Sequence, residues 1–295
     1  MHVFVTGASG FVGSAIVNEL ISAGHTVLGL VRCESAAEKL KETGATVLRG
    51  DVNDPDTIKQ GATSCDAVIH TAFNHDFSQY KASCEADRKV IDIFAKTLSG
   101  THKPLIITSA IGILHYDRLV NEDDTITAGA DVIPRAASEA AAAKAAEMGV
   151  NTYIVRLPPS VHGKGDHGFV PMIINSAKEH GQSAYINEGL NRWPAVCRFD
   201  AAVLYRLIAE QQPEQKVFHA VGEEGVPFIE IAKAISHNLQ LPLVSLNNTE
   251  AENHFGWLTH FATMDCSSSS YKTRKTLNWQ PKGPTLLQDM EAYYF

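Results

Sequence analysis

The sequence predicts an α/β fold: a doubly wound parallel sheet followed by a smaller, less regular region. Three observations carry this. Short β-branched runs alternate with segments of helical spacing through the first half of the chain. The apolar runs are nearly continuous, as strands covered on both faces require. Glycines cluster in the first of the turns that join strand to helix.

In order, strands are expected at residues 2–6, 26–31, 45–48, 67–70, 105–108 and 152–157. Helices are expected at 11–22, 36–42, 57–60 and 81–98, with an alanine-rich helix over 136–146. Strand, helix, strand at this spacing implies right-handed crossovers. After Leu157 the rhythm loosens at Pro158-Pro159 and the glycine-rich stretch 163–168. Helices follow at 170–180, 201–210 and 228–238, with a strand at 217–220, a polar serine run at 267–270 and a last helix at 286–294. The expected division is a core over residues 1–157 and a region over 158–295 threaded back through it.

Composition narrows the class. The 295 residues carry 25 Lys plus Arg against 33 Asp plus Glu, a net charge of −8, which disfavours a nucleic-acid partner. Hydrophobic residues make up 44% and charged residues 20%, so global disorder is excluded. Cys33, Cys65, Cys84, Cys197 and Cys266 form no C-x-x-C pair and suit reduced thiols in a cytoplasmic protein. No signal peptide is expected, and the apolar stretch 105–114 is too short to span a bilayer.

Thr6-Gly7-Ala8-Ser9-Gly10-Phe11-Val12-Gly13 lies between the first strand and the first helix. Gly7 allows the tight turn, Gly10 lets backbone approach a pyrophosphate, and Gly13 lets the helix lie close on the strand. The helix N-terminus then offers free N–H groups and partial positive charge. The expectation is a dinucleotide site in a Rossmann fold, with Thr6, Gly7, Ser9, Gly10, Phe11, Val12 and Gly13 as contacts. An NAD site usually ends its second strand with an acid, but here Val31 and Arg32 stand there. A guanidinium suits a 2′-phosphate, so NADP(H) is preferred over NAD(H), with Glu34 two residues on as the opposing signal. Asp51 and Val52 follow the third strand and are expected either at an adenine edge or as plain strand-end chemistry. Thr71, Ala72 and Phe73 end the fourth, beside a cofactor ribose.

These pieces resemble the extended and atypical branches of the short-chain dehydrogenase/reductase superfamily, the epimerase/dehydratase-like proteins. The resemblance runs along essentially the whole chain. It is carried by Thr6-Gly7-x-x-Gly10-x-x-Gly13, Gly50-Asp51-Val52, His70-Thr71-Ala72, Ile107-Thr108-Ser109-Ala110, Arg156 to Gly163, and Phe199-Asp200-Ala201-Ala202. It implies that Leu157, Pro158 and Ser160 lie beside the nicotinamide, with His162 where the family has Tyr. It also implies a Ser/Thr, a Tyr and a Lys for proton transfer. Arg135 stands at the Tyr place, Glu139 at the Lys place, and Ser109 is one position early. The distant Tyr271–Lys275 spacing is a coincidence.

Arg135 and Glu139 are i, i+4 neighbours. They form either an ordinary helix salt bridge or a substituted active site in which Arg135 polarises a carbonyl and Glu139 orients it. Arginine cannot be a general acid, so the proton would come from His115, Tyr116, His162 or water. His162, Asp166 and His167 do not make a convincing metal set, and none is expected. The segments 191–194 and 254–257 suit either a substrate wall or core aromatics. The resulting expectation is an NADP(H)-dependent oxidoreductase acting on a small carbonyl or alcohol, with Ser109, Arg135, Glu139 and His162 at the chemistry. Its alternatives are a non-catalytic NADP(H)-binding redox sensor and a sugar-nucleotide-type epimerase or isomerase. A monomer or homodimer without a membrane partner is expected.

Overall fold

A computed structural model describes residues 1–295. Strands β1 (His2–Thr6), β2 (Thr26–Val31), β3 (Thr46–Arg49), β4 (Ala67–His70), β5 (Pro104–Ala110) and β6 (Asn151–Leu157) stack as a parallel sheet. Later come β7 (Ser160–His162), β8 (Ser183–Ile186), β9 (Arg192–Cys197), β10 (Val217–His219), β11 (Glu223–Pro227) and β12 (Leu243–Leu246). The main sheet has seven strands in the order β10-β6-β5-β4-β1-β2-β3. Its order reverses between β1 and β4, which opens a crevice at the carboxyl ends of those two strands.

The helices are α1 (Phe11–Ser22), α2 (Glu34–Glu42), α3 (Pro55–Ser64), α4 (Tyr80–Leu98), α5 (Ala136–Glu147) and α6 (Phe169–His180). They continue as α7 (Arg198–Gln211), α8 (Phe228–Leu239), α9 (Asn248–Phe255), α10 (Thr259–Ala262), α11 (Tyr271–Leu277) and α12 (Leu286–Tyr293). Helix α3 begins earlier than expected because Asp54 accepts from the Asp56 N–H and Pro55 fits the first helical position. Alanines explain how α5 approaches α4: Ala141, Ala142 and Ala145 are buried in one cluster with Val90, Ile91 and Phe94.

One face of the sheet is covered by α1 and α7. Arg198 lies over the Phe11 ring at 4.8 Å, and eight residues on in both helices Arg206 Nε donates to Glu19 at 2.7 Å. The two helices are therefore parallel and in step, with their N-termini side by side. The C-terminal half also gives β10 to the main sheet, paired with β6 from Val217↔Ile154.

Two small sheets, β11-β9-β7 and β12-β8, are not legible as strands in the sequence. They pack in a second core around Trp193, Phe228 and Ile231. The serine run is not a solvated tail either. Ser268 and Ser270 are buried, one against His219 Nδ1 at 2.9 Å and the other donating to the Val221 carbonyl at 2.6 Å. No helix is long and apolar enough to cross a membrane.

Candidate functional site

The glycine turn closes tightly at the β1/β4 crevice. Gly7 has φ +71°, and a Cβ there would sit 2.8 Å from the Ala72 nitrogen and from Thr71 Oγ1. A Cβ on Gly13 would come within 2.0 Å of the Gly7 carbonyl oxygen. No side chain larger than hydrogen fits either place, so α1 is held against the turn. Gly10 caps α1 without a side-chain hydrogen bond, and the first turn of the helix carries no acid. Its N–H groups are thus left to an anion. Ser9 and Gly10 are exposed, and Phe11 and Val12 are half-buried. These residues fit the pyrophosphate of a dinucleotide.

Two residues expected as contacts put their hydroxyls elsewhere. Thr6 is buried and shares a 2.6 Å hydrogen bond with His70 Nδ1, its neighbour across the β1–β4 register. Thr71 donates to the Thr6 carbonyl at 2.8 Å. Both shape the turn. Asp51 is exposed at the end of β3 and accepts from the Asn53 backbone and side chain at 2.8 and 2.9 Å, with Val52 half-buried beside it. At the end of β2, Glu34 is ion-paired to Arg49, while the exposed Arg32 makes no hydrogen bond or ion pair.

At the head of α5, Arg135 and Glu139 do not pair with each other, contrary to both sequence readings. Each turns to a buried partner from another element. Arg135 Nη1 donates to Asp87 on α4 at 2.6 Å, and Ser138 Oγ donates to the same Asp87 oxygen at 2.5 Å. Arg135 Nη2 donates to the Thr108 carbonyl at 2.7 Å, and Phe73 lies 4.2 Å beneath the guanidinium. Asp87 Oδ1 accepts from His70 Nε2 at 3.0 Å. Burial alone would push the Asp87 carboxyl up, but Arg135, His70 and Ser138 outweigh it and hold it well below the usual range.

Glu139 meets Arg156 bidentately, Nε to Oε1 at 2.9 Å and Nη2 to Oε2 at 2.8 Å. Ser109 Oγ donates to Oε1 at 2.6 Å. Strand register explains the set, because Ser109, Arg156 and His219 are side by side on β5, β6 and β10. Burial and the Arg156 charge lower His219 to about 3, so it stays neutral at ordinary pH. Ser109 is 2% exposed and Glu139 8%. The proposed substrate roles of Ser109 and Glu139 therefore meet a sealed ion pair, since a buried carboxylate needs its cation.

His162 is also sealed, at 1% exposed. Its Nδ1 donates to Asp289 on α12 at 2.6 Å, and its Nε2 is 4.0 Å from Glu223. The ring ties α12 to β7. Ser160 and Pro158 are buried and Leu157 half-buried. His115 is exposed, and Tyr116 donates to the Thr125 carbonyl at 2.8 Å. Asp166 accepts from Tyr294 and from the Gly168 N–H, whereas His167 packs edge-on to Phe11 at 5.9 Å. Tyr271 is 68% exposed, far from the crevice strands in sequence and on α11.

Of the two aromatic segments, Trp193 is core, with its indole N–H donating to the Phe261 carbonyl. Trp257 is 52% exposed and stacks on Phe77 at 4.8 Å, and Phe77 stacks on Tyr80 at 5.6 Å. This aromatic strap joins the loop after β4 to the C-terminal half. Sequence reasoning missed Asp87 altogether, although it lies in the buried stripe of α4 among Cys84, Val90, Ile91 and Phe94. A carboxylate on an apolar stripe was the signal that a buried cation faces it.

The family model described as "NAD(P)H-binding" matches residues 7–183. An uncharacterized protein of Schizosaccharomyces pombe is 47% identical over 297 residues, covering 100% of both chains. A sterol-4-alpha-carboxylate 3-dehydrogenase (decarboxylating) of Dictyostelium discoideum is 26% identical, over 77% of this chain and 73% of its own. Among solved structures, DesIV, a dTDP-glucose 4,6-dehydratase of Streptomyces venezuelae, superposes with a TM-score of 0.78 at 14% identity, covering 100% and 96% of the two chains. That likeness extends the fold argument to the full length. By the match that begins at Gly7 itself, the chain belongs to the NAD(P)H-binding family.

Proposed function

We propose that the protein is an NADP(H)-dependent oxidoreductase acting on a small carbonyl or alcohol, with its substrate taken by the region of residues 158–295. The observation that carries the cofactor choice is Arg32, left without a partner at the end of β2 while Arg49 holds Glu34. Gly7, Gly10 and Gly13 would cradle the pyrophosphate, Arg32 the 2′-phosphate and Asp51 the adenine. Phe73 and Ala72 would border the ribose. The reductase and dehydrogenase names of relatives such as the Dictyostelium enzyme support an oxidoreductase reading.

A nicotinamide dinucleotide, when bound, supplies or accepts a hydride. The chain's own part is to orient the substrate and exclude competing water. Arg135 and Glu139 are engaged in buried ion pairs with Asp87 and Arg156. The proton on the reacting oxygen then comes from solvent, and the substrate must be activated enough to accept it. The same two sealed ion pairs favour one second reading, a protein that binds NADP(H) as a redox sensor without turnover.

Fluorescence titration with NADPH and NADH, followed by a carbonyl panel with the tighter cofactor, tests both. Tighter NADPH binding that Arg32→Ala abolishes, together with turnover, supports the oxidoreductase. An unchanged preference in Arg32→Ala sinks the Arg32 role. Tight binding with no turnover on any carbonyl supports the sensor.

A further inference from the structure

The chain has ten arginines. Seven are ion-paired to carboxylates. Arg274 donates to Ser270 and to the Val221 and Gly222 carbonyls. Only Arg32 and Arg198 have neither an ion pair nor a hydrogen bond, and both stand at the glycine turn. Arg32 ends β2. Arg198 opens α7 and lies 4.8 Å over Phe11, the residue that opens α1.

The placement of Arg198 is costly unless something offsets it. Its Nε is buried without a partner, which costs free energy in a donor that only charge-assisted bonds satisfy. It also sits in the first turn of a helix, where a cation opposes the helix dipole. Because α1 and α7 run parallel and in step, their N-termini lie side by side with a guanidinium that has ring contacts to Phe11 and Phe199 but no ion pair. The one acid in the first turn of α7, Asp200, accepts instead from the Lys282 and Gly283 N–H groups. The wall on the far side is loop 163–168, where Gly163, at φ +143°, would bring a Cβ to 3.4 Å from the Arg198 stem. His167 of that loop packs on the other edge of Phe11. No carboxylate pairs with Arg198. An anion of more than one charge is what such a place accepts.

We propose that Arg198 is a second clamp of the dinucleotide site, reaching from the C-terminal half to the pyrophosphate at the start of α1. It rests on the dinucleotide reading of the glycine turn and not on the choice between NADP(H) and NAD(H). The two free arginines then divide the cofactor's phosphates: Arg32 takes the 2′-phosphate and Arg198 the pyrophosphate.

The test is a set of dissociation constants by fluorescence and calorimetry for wild type, Arg198→Gln, Arg198→Lys and Arg32→Ala. The ligands are NADPH, NADH and adenosine 2′-phosphate, which lacks a pyrophosphate. A lost charge-assisted bond predicts about tenfold to a hundredfold weaker binding of NADPH and NADH alike in Arg198→Gln. Adenosine 2′-phosphate should be unaffected, and Arg198→Lys should recover part of the loss. Arg32→Ala should weaken NADPH and adenosine 2′-phosphate and spare NADH. Equal affinities of wild type and Arg198→Gln for both dinucleotides overturn the clamp. So does a parallel loss for adenosine 2′-phosphate, which would mark a general or structural effect. A failed Arg32 pattern with an intact Arg198 pattern overturns the NADP(H) assignment alone.

Discussion

The glycine turn and the head of α5 lie at strand ends of one sheet, yet they treat charge in opposite ways. Around the turn, donors are left open: the first turn of α1 carries no acid, and Arg32 and Arg198 have no partners. At the head of α5 every charge is matched, Arg135 by Asp87 and Glu139 by Arg156. A site built to receive an anion must keep its donors unsatisfied until the anion arrives. A region that matches its charges internally has committed them to holding elements together. The resemblance implies a Tyr and a Lys at the head of α5; here Arg135 and Glu139 stand there, in ion pairs that tie α4, α5 and β6 together as a joint.

The sharpest way to break this contrast is to restore the family residues. Arg135→Tyr with Glu139→Lys would orphan Asp87 and set a lysine against Arg156. Each broken buried pair costs about 3–5 kcal/mol, against a total stability of roughly 5–15 kcal/mol. The double variant is expected to be unfolded or nearly so by circular dichroism, and a wild-type denaturation midpoint would refute the joint. Asp87→Asn alone should lower stability by about 3–5 kcal/mol in urea unfolding, since it leaves Arg135 buried and unpaired. Gly13→Ala acts on the open side. Its overpacking should cost about 1–3 kcal/mol, and titration should find NADPH binding lost even where the fold survives.

Acid offers a smaller lever on the joint. The Asp87 carboxyl is held below its unfolded value by Arg135, His70 and Ser138 against the opposing effect of burial. Its contribution is therefore complete above about pH 4, the unfolded carboxyl range, and is lost as pH falls through the folded value. The stability curve of Asp87→Asn should be flatter than wild type below that point. Smallest is Trp257→Ala. Half exposed and stacked on Phe77, it should cost about 1 kcal/mol or less and should appear mainly as a raised KM for apolar carbonyls.

The turn and the sheet were readable because their signals are local. Gly7 and Gly13 are required by backbone contacts within a few residues or across one strand pair, and the main strands are apolar runs set in a strand–helix alternation. Arg135 and Glu139 were visible as substitutions, but their partners Asp87 and Arg156 are 48 and 17 residues away. Spacing on one helix suggested that they would bond each other, and the tertiary partners won. The small strands β7, β8 and β12 are no shorter than β3, β4 or β10 by more than a residue, but they lie past Leu157, where the regular strand–helix alternation breaks off. Arg198 had a local sign, a cation where a helix begins, but only the alignment of α7 with α1 gives it meaning.

The His162–Asp289 bond has a consequence for the order in which the molecule assembles. It joins residues 127 apart in sequence, under a helix that begins at Leu286. Strand β10 and the serines that satisfy His219 also come from the last third of the chain. During synthesis from the N-terminus, β1 to β6 emerge long before the segments that cover their edge and fill the imidazole and guanidinium contacts of β6 and β7. The emerging core must therefore wait with the β6 edge uncovered and His162 without Asp289, and non-local closure of this kind is slow. Folding of this sheet and its neighbours should therefore reach completion only after α12 has left the ribosome.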